Sequence, residues 1–389
     1  MTTTAPRVIT EALGGSALSL AAQRGALGEW YLERPQTADE WRSYLRRVAA
    51  GHAATDWVDA LAPALNAGGV AAARLARVAN GKGVVISTGQ QAALFGGPLY
   101  TLIKALSALS IADALEHALG IPTAPVFWAA TDDADYEEAS WAAVAVAGGL
   151  RKLELPPLRR VGIPMSRVPM PTVDRLVEEL ATACGAAVAP EVLAIVRRNF
   201  TPQATLGDAY VGHLRALLEP LGIAVLDASH PAVRRSAAPV LTRALEDARA
   251  IERVLRERYL AIERAGYSPQ VEHIPTLSLV FEYAPDGEKR RVPIGEVDEV
   301  RDRADPTMLG PNVLLRPIVE RFIMPSAAYV AGPGEIAYFA QVSAAAQVLE
   351  SHVPLVVPRW SATIVEPRME RLLARLGAAP RPCCGSYPG

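Results

Sequence analysis

Four short stretches, with Arg316 outside them, carry the side chains whose types and spacing could do chemistry. In "STGQQAALFGGPLYTLIKA", residues 87–105, Thr88, Gly89, Gln90 and Gln91 follow the apolar run Val84-Val85-Ile86, and Gly96-Gly97 precede Pro98. In "TDDADYEE", residues 131–138, Asp132, Asp133 and Asp135 follow a second apolar run. "YVAGPGEIAYFAQV", residues 329–342, sets Gly334 and Glu335 after a third run and places Tyr338 and Gln341 along a helix start, on neighbouring faces. Arg359 and Ser361 follow "VPLVVPR", and Arg316 lies in "PNVLLRPIVE".

Glycines let backbone N–H groups approach a ligand, and a helix beginning near Pro98 adds a positive end, so the first stretch suits phosphate or carboxylate. An ordinary tight turn fits it equally well. It is no P-loop, because no Gly-Lys-Ser/Thr ends it, and no dinucleotide fingerprint, because Gly-x-Gly-x-x-Gly is absent. The aspartates could orient hydroxyls, a substrate ammonium or magnesium, or could simply cap the next helix. Arg359 and Arg316 are candidate clamps for carboxylate or phosphate, with structural ion pairing as the competing role. The six histidines show no metal-ligand spacing, and no Gly-x-Ser-x-Gly elbow occurs.

The elements that must position these residues alternate. Residues 37–78 read as helix, opened by a capping box in "TADE" at 37–40. Short buried runs at 83–87, 121–130, 222–227, 327–332 and 353–359 read as five parallel strands with helices between them. Ligands of such sheets bind beyond the carboxyl ends of the strands, where all four stretches fall. The proline-rich segment 148–210 and a β-rich segment 266–312 interrupt the alternation, and 232–265 reads as one long, charged helix packed on one stripe. The domain reading is a helical segment over 1–80, core over 81–147, an insert over 148–210, a core strand with the long helix over 211–265, a β-rich insert over 266–312, the last core part over 313–366, and a tail over 367–389.

The 389 residues, half of them apolar, can bury one large core or two medium ones. With 39 Lys+Arg against 41 Asp+Glu, no global field draws the chain to nucleic acid or an anionic membrane. Three cysteines, two adjacent in the tail, exclude a disulfide framework and suit a reducing cytosol. The start lacks a secretory pattern and no run approaches a membrane span, so a cytoplasmic protein is expected.

"TGQQAALFGGPLYTLIKA", "APVFWAATDDADYEE", "GIAVLDASHPAVRRSAAPVL", "GPNVLLRPIVERFIMPSAAYVAGPGEIAYFAQV" and "VVPRWSAT" together resemble, in order and spacing, the cysteine-adding enzyme family of bacillithiol biosynthesis, over roughly 80 to 366. The resemblance implies an α/β fold with a Rossmann-like core, inserted connecting segments and N-terminal helices. It implies a ligase that joins cysteine to the amine of glucosaminyl malate, with ATP and magnesium expected for activation. The residues expected to be catalytic are Asp133, Asp135 and Glu335. Those expected to bind substrate or nucleotide are Thr88, Gly89, Gln90, Gln91, Gly96, Gly97, Tyr100, Asp132, Asn312, Arg316, Gly334, Tyr338, Gln341, Arg359 and Ser361, with Glu335, Tyr338 and Arg359 on the wall opposite the first loop. No protein-held metal is expected.

Two departures from the family pattern matter. The family's acidic loop reads Glu-Asp-His-Asp, whereas this chain has Asp132, Asp133, Ala134 and Asp135, so the histidine is missing. The family continues into a helical arm associated with dimerisation, whereas this sequence turns after "EPRMERLLARLG" into "AAPRPCCGSYPG". A monomer is therefore expected. Two other readings stand beside the ligase: a non-catalytic nucleotide- or sugar-binding relic, and a nucleotidyltransferase-like enzyme acting on another amine.

Overall fold

The computed structural model describes residues 5–52, 55–146, 149–185, 189–284 and 286–379. At its centre a five-stranded parallel sheet runs in the spatial order Leu355–Pro358, Ser326–Ala331, Val84–Gln91, Thr123–Ala130, Ala224–Asp227. These are the five runs expected to form strands. The chain builds outward from Val84–Gln91 in one direction, then returns to its other side with Ser326–Ala331, so the order reverses between those two strands.

Alternation along the strands divides the core, because successive side chains point to opposite faces. Val85, Val126, Trp128 and Tyr329 join one cluster with the helices Trp57–Leu65, Gly69–Asn80, Pro231–Glu246 and Pro333–Val348. Val84, Ile86, Ala328 and Val330 face the other way, against Ala38–Ala50 and Tyr100–Leu119. Phe127, Ala129 and Val225 extend that second face over Leu206–Leu218 and the first insert. With helices on both faces, the strands carry apolar residues on both sides, as a covered parallel sheet requires.

Several boundaries differ from the sequence reading. The first strand does not end at Ser87 but runs to Gln91, with Thr88↔Phe127 through Gln91↔Ala130 in register. Its neighbour's long run of backbone partners outweighs the poor strand propensity of Gly and Gln. The following helix begins at Tyr100 rather than at Pro98. Residues 37–78 form three helices rather than one, and the Thr37 and Glu40 capping box opens the first of them. The N-terminal segment is not wholly helical, since Arg7–Thr10 pairs antiparallel with Ala362–Val365. The expected long helix is two, Pro231–Glu246 and Ala248–Arg264, separated at Asp247.

The first insert opens with a hairpin, Trp141–Val146 against Gly149–Glu154, so it starts before 148. Its expected end at 210 falls inside Leu206–Leu218, a helix that packs on the core strand Ala224–Asp227. The second insert is the β-rich unit expected: Leu277–Tyr283 pairs with Lys289–Pro293 on one side and Leu309–Pro311 on the other. In the tail, Pro367–Arg375 is helical, and residues 380–389, with Cys383 and Cys384, lie outside the described residues. Cys184 is a free thiol. Among the described residues no helix is long and apolar enough to cross a membrane.

Candidate active site

A cavity of about 580 Å³ opens beyond the carboxyl ends of the central strands, at the point where strand order reverses. Gly89, Gln90 and Gln91 reach it from the end of the first strand, Ala130, Asp132 and Asp133 from the second, Gly332 to Glu335 from the fourth, and Arg359 from the fifth. The β-rich insert closes the far side with Phe281, Lys289 and Arg291.

Gly89 is an element of the cavity floor rather than of a flexible turn. A Cβ there would lie 2.7 Å from the Trp128 carbonyl oxygen and 2.9 Å from the Trp128 Cβ, so only glycine lets the two strands approach this closely. The loop beyond the strand is where unusual backbone is needed: Phe95, Gly96 and Gly97 have φ of 55°, 92° and 75°. Its Gly96 faces the buried His213 ring.

On one wall, Gln91 Nε2 donates to Asp133 Oδ2 at 2.9 Å, and Asp133 Oδ1 accepts from the Asp135 amide at 3.0 Å. No cation pairs with Asp133 among the described residues, and the donors to this carboxylate are neutral. Nearby, burial, then Asp135 and Asp133, raises the Glu138 carboxyl above its ordinary value. Asp132 is differently placed: the Lys289 ammonium lies 3.5 Å from its carboxylate and donates to its backbone oxygen at 2.7 Å.

The opposite wall is a buried charge network. Lys104 Nζ donates to Glu335 Oε2 at 2.7 Å, to Gln90 Oε1 at 3.3 Å and to the Gly89 carbonyl. Glu335 also accepts from the Gly332 amide at 2.7 Å and from the Tyr329 hydroxyl. Burial alone would raise the Glu335 carboxyl, but Lys104 and then Arg316 outweigh it and hold the group below its ordinary range. Arg316 pairs with the buried Glu320 and donates to the Tyr338 hydroxyl at 2.6 Å.

The arrangement can receive a positively charged group at Asp133 and negatively charged groups at the insert side, while excluding bulk water from the buried network behind it. It offers hydrogen bonding and charge, the means by which amide-forming enzymes hold a nucleophile and an activated carboxyl together.

A family model described as "Bacillithiol biosynthesis BshC, N-terminal Rossmann-like domain" matches residues 17–360. The chain belongs to that family. Among similar curated proteins, the "Putative cysteine ligase BshC" of Solibacter usitatus is 34% identical over 365 residues, covering 88% of this chain and 68% of that protein. The proteins of the same name from Koribacter versatilis and Symbiobacterium thermophilum are each 32% identical, covering 80% and 94% of this chain. The chain spans 60% of the length of the Koribacter protein and 73% of that of the Symbiobacterium protein. The Rossmann-like core expected from the sequence is thus the BshC fold.

Of the residues singled out in the sequence, Gly89, Gln90, Gln91, Tyr100, Asp132, Asp133, Asn312, Arg316, Gly334, Glu335, Tyr338 and Arg359 line the cavity. The others stand elsewhere. Thr88 is buried in the sheet, where its hydroxyl donates to the Val330 carbonyl at 2.8 Å. Gly96 and Gly97 shape the loop but do not line the cavity. Asp135 caps the short helix Tyr136–Ala139 by accepting from the Glu138 amide, and it faces a neighbouring groove. Gln341 is buried and holds both backbone groups of Val271. Ser361 accepts through its carbonyl from the Glu11 amide, beside the edge pairing of the N-terminal strand.

Roles also shift within the cavity. Glu335, expected to be catalytic, has both oxygens committed and a lowered pKa, which suits a fixed anion better than a base. Arg316, expected to bind substrate, is held by Glu320 and Tyr338. Asn312 lines the cavity while its Oδ1 accepts from the Leu314 and Leu315 amides at 3.1 and 3.0 Å, in the turn that leads into the helix Arg316–Ile323.

Sequence reasoning missed Lys104, Trp128, Lys289 and Arg291. Lys104 carried a signal: it is a lone cation in the apolar helical text "LIKALSALSIADAL". Lys289 and Arg291 carried a weaker one, since alternate residues of a strand share a face and "KRRVP" sets cations two apart.

Proposed function

We propose that this BshC-family chain is a carbon–nitrogen ligase that joins the carboxyl of cysteine to the amine of glucosaminyl malate. The observation that carries this reading is Asp133, held by Gln91 and without a cation partner among the described residues, in the same cavity as Arg291 and Arg359, which no carboxylate neutralises among the described residues. An amino sugar bearing a malate offers one ammonium and two carboxylates to complementary groups. The names of the similar proteins favour cysteine as the other substrate.

Amide formation from a free carboxylate is uphill in water, so an activated acyl group is needed. ATP as co-substrate supplies it: the cysteine carboxylate oxygen bonds to the α-phosphorus as pyrophosphate leaves, and attack by the amine nitrogen on the acyl carbon then releases AMP. Asp133 receives the proton that the ammonium must lose before attack. Gln91 fixes the orientation of that carboxylate, and Lys104 fixes Gln90 and Glu335 behind the reacting groups. No histidine stands at 134, so proton transfer rests on the carboxylates. Among the described residues no cluster of three or more His, Cys, Asp or Glu is arranged to hold a metal. Magnesium would come with the nucleotide phosphates and keep phosphate oxygens and waters as most of its ligands.

The test is mass-spectrometric detection of the thiol product after incubating the purified protein with glucosaminyl malate, cysteine, ATP and magnesium, beside a reaction lacking ATP. ATP-dependent product establishes the ligase. Pyrophosphate release that does not depend on cysteine would instead make it a nucleotidyltransferase-like enzyme. Binding of the malate glycoside without any product would make it a binding protein, a reading that Ala134 favours.

A further inference from the structure

The acidic loop that carries Asp133 is held by its backbone from both inserts. Three successive carbonyls each accept a hydrogen bond: Thr131 from the Ser166 amide at 2.9 Å, Asp132 from Lys289 Nζ at 2.7 Å, and Asp133 from the Met165 amide at 2.8 Å. The first and third donors are main-chain amides of the first insert, which any residue except proline supplies. The second is a side chain, and it comes from the β-rich insert.

Lys289 is built into its place. Its side chain is 9% exposed, and its ammonium also lies 3.5 Å from the Asp132 carboxylate. It stands directly across the antiparallel pair from Tyr283, with Phe281 two residues away on the same face. The ammonium is 4.5 Å from the centre of the Phe281 ring and 5.9 Å from that of Tyr283, close enough for both to attract the charge. The Tyr283 hydroxyl in turn donates to Asp132 Oδ2 at 3.4 Å, and Gly310 on the third strand leaves room for it, since a Cβ there would lie 2.7 Å from the hydroxyl oxygen. The Lys289 amide donates to the Gly162 carbonyl of the first insert at 2.9 Å, so the two inserts are joined at the residue that grips the loop.

The Asp132 carbonyl is the one whose position matters for Asp133. A peptide unit is planar, and the plane that contains this carbonyl ends at the Asp133 Cα, so a donor that fixes the oxygen fixes the base of the Asp133 side chain. A reacting group must be held to within about 0.5 Å, and a misplacement of about 1 Å can cost about 100-fold in rate. Lys289 lines the cavity, yet its charge is neutralised by Asp132 and covered by the two rings. Its strongest contacts are therefore with the loop.

We propose that Lys289 is a positioning residue: it holds the acidic loop from the β-rich insert and thereby sets where Asp133 stands in the cavity. Its effect on the reaction rests on reading Asp133 as the group that meets the substrate amine, and it gives the β-rich insert a part in that step.

Steady-state ligase kinetics and hydrogen exchange of the full chain, read by mass spectrometry, test it together. Lys289→Met keeps the stem between the rings and removes the donor. It is expected to lower kcat at least about tenfold with KM for the malate glycoside within about threefold, and to speed exchange in peptides covering residues 131–138 while the central strands exchange as in wild type. Lys289→Arg, which keeps a cation able to donate to the carbonyl, should bring kcat within about fivefold of wild type and restore slow exchange. In the Asp133→Asn background, Lys289→Met should lower kcat by no more than about twofold further, because it acts through that carboxylate. Lys289→Gln, one atom shorter, serves in place of the methionine variant should that one not fold. A raised KM with kcat intact would make Lys289 a substrate-binding residue, faster exchange in every peptide would make it a general stabiliser, an arginine variant as poor as methionine would remove the charged donor as the cause, and full additivity with Asp133→Asn would sever it from that carboxylate; each overturns the proposal. Loop exchange raised by methionine and restored by arginine, with no thiol product from any of the proteins, upholds the grip and sinks the ligase. Product made by Lys289→Met at wild-type kcat and KM, with loop exchange unchanged, does the reverse.

Discussion

Lys104 Nζ lies 2.7 Å from Glu335 Oε2, a contact between residues 231 positions apart that ties the helix after the first strand to the helix after the fourth. Both helices begin at the cavity, so the ion pair joins its two halves beyond the paired strands that precede them. Burial pulls the Lys104 ammonium down, and Glu335 pulls it back. Breaking a buried pair leaves a charge without compensation, whereas removing both charges does not.

Lys104→Met is therefore expected to destabilise the protein by about 3–5 kcal/mol, and the double variant Lys104→Met with Glu335→Gln to recover a large part of that loss. Urea unfolding of the four proteins measures the coupling. Strictly additive losses would show that the pair is not a unit. The lowered Glu335 pKa sets the pH course: the stability contributed by its charge is complete above the ordinary carboxylate value of 4.5 and disappears as pH falls through the lowered one.

His213 lies under the Phe95–Gly97 loop, 4% exposed, and burial pushes its pKa from 6.5 down to about 4. The folded state thus binds fewer protons than the unfolded one between these values. The stability gained by keeping it neutral is complete above pH 6.5 and is lost as pH falls toward 4, an effect of about 3 kcal/mol at most. Unfolding free energies across that range, compared with those of His213→Gln, should show a shallower slope in the variant. Identical slopes would remove His213 as the source.

Gly89→Ala places a Cβ against the Trp128 backbone, and overpacking of this kind costs about 1–3 kcal/mol. The same change should lower turnover, because Gln90 and Gln91 continue the displaced strand. Gly28, exposed and with nothing near its missing Cβ, is the control, and Gly28→Ala should unfold like wild type. A neutral Gly89→Ala would mean that the strands tolerate more separation than their contact implies.

Asp133→Asn keeps the hydrogen bond to Gln91 in reach and removes the proton acceptor, so turnover should fall at least about 100-fold, the lower range for loss of a general base. Gln91→Ala should lower turnover less, since it frees the carboxylate without removing it. Neither should change the melting temperature by more than about 2 °C, as both residues are partly exposed at a cavity rim. Full ligase activity in Asp133→Asn would shift the base to another group.

Sequence alone determined the five core strands, their alternation with helices, the β-rich insert, and the Thr37 and Glu40 cap, since apolar period, turn residues and capping are local signals. It also brought the ends of four strands forward as the place to search, and twelve of the residues it named line the cavity. Thr88 and Gly89 show where local reading stops: both sit on one strand, yet the sheet buries one hydroxyl against Val330 and presses the other residue on Trp128 at the cavity floor. Only tertiary structure decided which charges are spent and which are free. Arg316 and Glu335 look like ligand-binding groups until Glu320 and Lys104 are seen beside them, and Arg291 looks like a surface cation until the strand turns it inward. A charge is neutralised by whatever the fold brings within a few ångströms, and here those partners come from segments up to 231 residues apart, a separation that no local pattern encodes.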